Sequence, residues 1–133
     1  MNRLWELVIL ENNKKENKVI GNFGEDIAAE FLRKNNYIIL ERNFICYYGE
    51  IDIIAMKEEE YIFCEVKTRR NFNYGMPIDA VNFYKKRHIW NCARYYLYKN
   101  GKLNNKIRFD IIEIYLKKKS VYLNHMKNVI LDN

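Results

Sequence analysis

The chain has 133 residues with one Pro, five Gly and 15% aromatic side chains, and its net charge is +6. That length fits one domain with a real core, and so little Pro and Gly excludes a long flexible linker. No apolar run approaches the ~18 residues needed to span a membrane.

The charge is unevenly placed. Residues 1–65 hold eight basic and thirteen acidic side chains, residues 66–106 ten and one, and residues 107–133 five and three. Compositional drift would scatter the lysines, whereas a basic stretch beside an acidic one suits a polyanion such as nucleic acid. Cys46, Cys64 and Cys92 form no CxxC pair. Without a signal-peptide pattern they read as reduced thiols of a cytoplasmic protein, with Cys64 and Cys92 packing as small apolar groups. His88 and His125 are too few and too far apart for zinc.

Residues 1–19 read as an N-terminal extension and residues 20–133 as a single domain. Within the extension, Leu4 to Leu10 is a short apolar run broken by Glu6. It predicts a short helix or strand docked on the body or on another subunit. Glu11 to Lys18 is polar and is expected to be mobile. Gly21 to Asn35 predicts a helix, because Ile27, Phe31, Ala28 and Leu32 fall at helical spacing. Glu25 then sits in its first turn, where the helix dipole alone favours an acid. Tyr37 to Ile45 reads as the first central strand.

Gly49 to Lys67 (GEIDIIAMKEEEYIFCEVK) predicts a β-hairpin, with Lys57 to Glu60 as its polar loop. Alternation puts Glu50 and Asp52 on one face of the first strand, and Glu65 and Lys67 on one face of the second, roughly 6.6–6.8 Å apart. Ile62, Cys64 and Val66 point the other way, into a core. Acids and a Lys inside apolar strands carry a large desolvation cost. Hard divalent cations take carboxylate oxygens, often only one or two of them, and a neighbouring Lys can orient a water or offset charge on a phosphate. The plainer reading is that Lys67 pairs with Asp52 or Glu65 only to hold the hairpin.

Thr68 to Pro77 reads as a loop that opens on Arg69 and Arg70, either phosphate contacts or simply charged. Ile78 to Lys99 predicts the longest helix, with Ile78, Val81, Ile89, Cys92 and Tyr96 on one stripe. Lys85 falls on that stripe and must snorkel or meet an anion. Arg87, Trp90, Arg94 and Tyr98 line the opposite side, a face that can bind nucleic acid by charge and stacking or simply be solvated. Lys106 to Leu116 predicts a strand on which Arg108 and Asp110 share a face and pair. Lys117 to Lys119 reads as a turn, Val121 to Leu123 as a short strand, and His125 to Leu131 as a helical turn or cap.

Asp52 followed thirteen residues later by Glu65-Val66-Lys67 resembles the D…(D/E)xK signature of restriction-endonuclease-like nucleases. The longer string is more specific. Gly21-x-x-Gly24-Glu25-x-x-Ala28, Asn43, Gly49-Glu50-Ile51-Asp52, Glu65-Val66-Lys67-x-Arg69, Tyr74-Gly75, Lys85 and Arg108-Phe109-Asp110 occur in the order of the bacterial YraN family. That family is described as uncharacterised and endonuclease-like. The chain is also similar to archaeal Holliday-junction resolvases in the order Glu, Asp, Glu-x-Lys.

The resemblance implies an α/β fold: a restriction-endonuclease-like mixed central sheet of about five strands flanked by helices. It implies a Mg²⁺- or Mn²⁺-dependent endonuclease acting on DNA, with selectivity for junctions or branches. Asp52, Glu65 and the Val66 carbonyl would hold the ion, Lys67 would position water, and Glu25 would reach the site from its helix. Arg69, Arg70, Lys85 and Arg87 would bind nucleic acid. A homodimer follows by analogy with resolvases. A non-catalytic nucleic-acid-binding module of the same fold, or a small-molecule phosphodiesterase, are the alternative readings.

Overall fold

The computed structural model describes residues 2–6, 16–69 and 83–129, with side chains for 22–69 and 87–129. In chain order the elements are β1 (Asn2–Glu6), α1 (Glu16–Lys34), β2 (Ile38–Cys46), β3 (Gly49–Lys57), β4 (Glu60–Arg69), α2 (Phe83–Lys99), β5 (Ile107–Lys117) and β6 (Ser120–Met126). The strands form one open mixed sheet in the order β1-β6-β5-β4-β3-β2. Every neighbouring pair is antiparallel except β4 and β5. The expected α/β architecture with a mixed sheet and helices on both faces is therefore present.

Each helix covers one face. Ile27, Ala28, Ala29 and Leu32 of α1 pack on Ile53, Ala55, Ile62, Cys64, Val66, Ile112 and Ile114. Ile89, Cys92, Ala93 and Leu97 of α2 pack on Ile51, Ile54, Tyr61, Phe63, Phe109 and Ile111. Ile62, Cys64 and Val66 thus face the core as alternation predicts. Both helices stop in the same way. Asn36 (φ 68) and Gly101 (φ 67) take the left-handed conformation. Beyond them Tyr37 N–H donates to Leu32 O at 3.0 Å and Lys102 N–H to Leu97 O at 2.7 Å. These bonds satisfy carbonyls that a helix end would otherwise leave open.

Several boundaries depart from the sequence reading. Helix α1 begins at Glu16, so residues 16–18 are helical. Residues 78–82 of the expected long helix lie outside the described residues. Strand β2 is an edge of the sheet, not its centre, and β1 adds a further strand at the opposite edge. The β3–β4 loop is only two residues, because Lys57 pairs with Glu60 while Glu58 (φ 50) and Glu59 (φ 67) make the turn. Two consecutive positive φ values match the twist of paired strands. His125 belongs to β6, not to a helical cap.

Candidate active site

Backbone pairing of β3 with β4 runs from Lys57 opposite Glu60 to Ile53 opposite Cys64. Asp52 is the next residue, and its Oδ2 accepts the backbone N–H of Val66 at 2.8 Å. A side chain thus bonds a main-chain donor just past the end of that ladder. The face pattern breaks at the same place. Ile51 packs under α2 and Ile53 under α1, although a regular strand would put both on one face. Across the hairpin, Arg42 Nη2 donates to Asp26 Oδ1 of α1 at 2.7 Å, while Phe44 packs under α2. Between them Asn43 has φ 52, in the left-handed region that Asn tolerates. Both strands kink together, and the kink brings the Asp52 carboxylate to β4.

On β4 the expected alternation holds. Lys67 Nζ lies 3.1 Å from Glu65 Oε1, with the Lys67 side chain 25% exposed and that of Glu65 9%. A void of about 10 Å³ beside Glu65, lined among others by Ile51, Phe63, Ile89 and Ile111, has room for one water at most.

Glu25 is nine residues into α1, beyond the first turn in which the helix dipole acts. Its expected first-turn placement is corrected, and the dipole does not account for an acid there. Asn43, its amide oriented to satisfy both neighbours, donates to Glu25 Oε2 at 3.1 Å and to Glu50 Oε1 at 3.2 Å. One amide therefore ties α1 to the acidic end of β3, two residues from Asp52. Burial raises the Glu25 pKa; the Arg42 charge and the Asn43 bond oppose the rise, and Glu50 and Asp26 add to it. Gly24 makes the close approach of α1 possible, since a Cβ there would overlap Thr68 Oγ1 and lie 3.0 Å from Thr68 Cβ.

Among the described residues no three His, Cys, Asp or Glu side chains gather as a metal centre. Mg²⁺ does not need such a set, because water and phosphate oxygens complete its shell around one or two carboxylates. Asp52 is bonded to the N–H of Val66, and Glu65 precedes Val66 in the chain. With the Val66 carbonyl, the stretch carries only oxygen donors, the chemistry a hard divalent cation prefers. Lys67 has donors alone and does not ligate while protonated.

Arg69 is the last residue of β4 rather than the start of a loop. Its Nε lies 3.4 Å from Glu113 Oε2, and its side chain is only 14% exposed. Arg70 and the Tyr74-Gly75 motif lie outside the described residues. Lys85 falls in α2, with its side chain outside those described, and Arg87 is exposed on the same helix. Glu113, fully buried, is the residue the sequence reading passed over. It stands opposite Lys67 in the parallel ladder, and Asn124 Nδ2 lies 3.4 Å from its Oε1. Burial and a hydrogen bond to Glu113 push the Tyr115 hydroxyl up to about 12. The available signal was one acid inside the apolar run Ile111 to Leu116.

A second charged cluster lies one strand away. Arg108 Nε and Nη2 donate to Asp110 Oδ1 and Oδ2 at 2.8 and 2.9 Å. Asp110 also meets His125 Nε2 at 2.7 Å and accepts the Asn128 N–H at 2.9 Å. The predicted Arg108–Asp110 pair is present, completed by partners distant in the chain.

These features define an open mixed α/β protein in which Asp52 meets the backbone of the Glu65-Val66-Lys67 stretch where the β3–β4 ladder ends. The chain belongs to the uncharacterised protein family UPF0102, whose model matches residues 24–114. It is 41% identical over 117 residues to a UPF0102 protein of Caldanaerobacter subterraneus, covering 88% of this chain and 96% of that protein. A UPF0102 protein of Clostridioides difficile is 46% identical over 112 residues, covering 84% and 96%. One of Clostridium perfringens is 52% identical over 101 residues, covering 76% and 83%. The matched span contains Glu25, Asn43, Asp52, Glu65, Lys67 and Asp110. No described helix is long and apolar enough to cross a membrane.

Proposed function

We propose that the protein is a Mg²⁺- or Mn²⁺-dependent endonuclease of the cytoplasm that hydrolyses phosphodiester bonds in DNA, with selectivity for branched or junction structures. The observation that carries this reading is the Asp52 Oδ2 to Val66 N–H bond, which ties one acid to the Glu65-Val66-Lys67 stretch. Asp52, Glu65 and the Val66 carbonyl hold the cation. When bound, the ion polarises the phosphate and makes a water acidic. Lys67 orients the attacking water or offsets charge growing on the phosphate. Glu25 supports the acidic end of β3 through Asn43 and Glu50. Arg87, with Lys85 and Arg70, contacts phosphates, while Arg69 braces β4 against Glu113. The likeness to restriction-endonuclease-like enzymes and archaeal resolvases belongs to this reading, as does a homodimer making paired cuts.

The test is cleavage of duplex, flap, single-strand and four-way-junction DNA with Mg²⁺ and with Mn²⁺. Metal-dependent cutting of at least one substrate, lost in Asp52→Asn, is expected. Binding without any cutting would make the protein a nucleic-acid-binding module. Hydrolysis of small phosphodiesters without any action on nucleic acid would make it a phosphodiesterase.

A further inference from the structure

Four of the exposed large side chains are tyrosines: Tyr47 at 97%, Tyr48 at 42%, Tyr95 at 40% and Tyr98 at 71%. Tyr47 and Tyr48 form the turn between β2 and β3, and Tyr95 and Tyr98 lie in the last turns of α2. The Tyr47 and Tyr48 rings meet edge to face at 5.5 Å, and Tyr48 lies 6.4 Å from Tyr95. Tyr95 in turn stacks on Phe44 at 6.3 Å, which fixes its plane against the core. An open recess of about 400 Å³ runs along this surface, lined by Tyr48, Asn91, Arg94, Tyr95, Tyr98 and Leu103.

Soluble domains rarely leave a contiguous aromatic patch uncovered unless it binds something. The chemistry around the patch selects the occupant. Arg94 is the charged residue among those lining the recess, and the helix that carries it, α2, holds no acid, so the recess favours an anion. The rings offer flat π-faces, Asn91 offers amide donors and an acceptor, and Arg94 offers a planar cation. Flat groups joined by phosphates match all three. Bases in a duplex cover one another's faces, so rings of this kind stack only on unpaired ones. Tyr48 is four residues before Asp52, in the turn that leads into β3.

We propose that Tyr47, Tyr48, Tyr95 and Tyr98, with Arg94, form a stacking shelf for the unpaired bases of a nucleic acid. This rests on the nucleic-acid reading above and adds the segment of substrate that docks beside the site. Full-length Asp52→Asn protein is titrated by fluorescence anisotropy with a labelled single strand and with a blunt duplex of equal length. Replacing both Tyr95 and Tyr98 by Leu should weaken single-strand binding about 10-fold and duplex binding less than about 2-fold. The double Phe variant should bind as its parent does. A single strand with abasic positions should bind the parent about 10-fold more weakly, with little further loss in the Leu variant.

Equal losses on both DNAs, no loss on either, or no nucleic-acid binding at all would overturn the shelf. A dimer that becomes a monomer in sedimentation when the tyrosines are replaced, with DNA affinity unchanged, would assign the surface to a second copy of the chain. If the abasic and Leu effects hold but the wild-type protein cuts none of the DNA substrates, the shelf stands and the endonuclease reading falls. If Asp52-dependent cutting occurs while the Leu variant binds single strands normally, the shelf alone falls.

Discussion

Glu65 with Lys67 and Asp110 with Arg108 are the same sequence pattern, an acid and a cation two residues apart on an inner strand. They end in different environments. Asp110 is 1% exposed and takes bonds from Arg108, His125 and the Asn128 backbone. Both its oxygens are bonded by donors that the fold supplies, and the cluster clamps β5 to β6 and the chain beyond. Glu65 sits where β3 leaves β4, paired with a Lys that is a quarter exposed, and the next residue, Val66, gives its backbone N–H to Asp52. A buried charge whose partners all belong to the fold holds structure together. An acid and a Lys at the end of a ladder, with part of the Lys open to solvent, are placed where a ligand can meet them.

Four measurements sharpen that contrast. Asp52→Asn has the largest expected effect: cleavage falls to background, while the melting temperature and DNA affinity hold, because the Asn carbonyl can still accept the Val66 N–H. Wild-type cutting by this variant would remove Asp52 from the chemistry.

Asp110→Ala should do the reverse. Removing one member of a buried ionic cluster costs about 3–5 kcal/mol, read by urea unfolding, with cleavage per folded molecule unchanged. Burial alone raises the Asp110 pKa, but the bonds from His125, Arg108 and Asn128 outweigh it and hold the carboxyl below its ordinary value. A depressed carboxylate stabilises the fold above its unfolded pKa of ~3.9, and that contribution is lost as pH falls through the folded value. The stability gap between wild type and Asp110→Ala should therefore shrink as pH falls below about 4. A gap that stays unchanged well below about pH 4 would refute the clasp.

Lys67→Ala should slow single-turnover cleavage by about 10²–10³ while Ca²⁺ binding by calorimetry is kept or strengthened. Unfolding on the scale of Asp110→Ala would show that Lys67 and Glu65 are a second structural pair. The smallest effect is expected from Arg87→Glu. Each lost phosphate contact lowers the slope of log K against log salt by about 0.9 on duplex DNA, and an unchanged slope would remove Arg87 from the interface. Arg69→Glu is not an equivalent test, because it sets a carboxylate against buried Glu113 and should destabilise the fold.

The hairpin and its core-facing residues were legible because alternation is a property of consecutive residues. Arg108 and Asp110 were legible for the same reason, being two apart on one strand. The helix ends were partly legible, since Asn36 and Gly101 tolerate the left-handed conformation that stops a helix. The start of α1 was not, because Glu11 to Lys18 is polar and carries no apolar stripe. Glu25 was singled out from the motif string, but its surroundings were misread, since they depend on where the helix begins.

Local periodicity, turn chemistry and the order of Glu25, Asp52, Glu65 and Lys67 are written in the chain itself, and they were enough for the fold class and the candidate residues. The sheet decided the rest. Only the pairing of β2 with β3 places Asn43 across from Asp52 and lets both strands kink there. Only the parallel pairing of β4 with β5 sets Glu113 beside Lys67 and within reach of Arg69, 44 residues earlier. Only the antiparallel return of β6 delivers His125 to Asp110. These contacts join residues far apart in sequence, so their partners are set by strand register and by the burial of charge, neither of which leaves a periodic trace in the sequence.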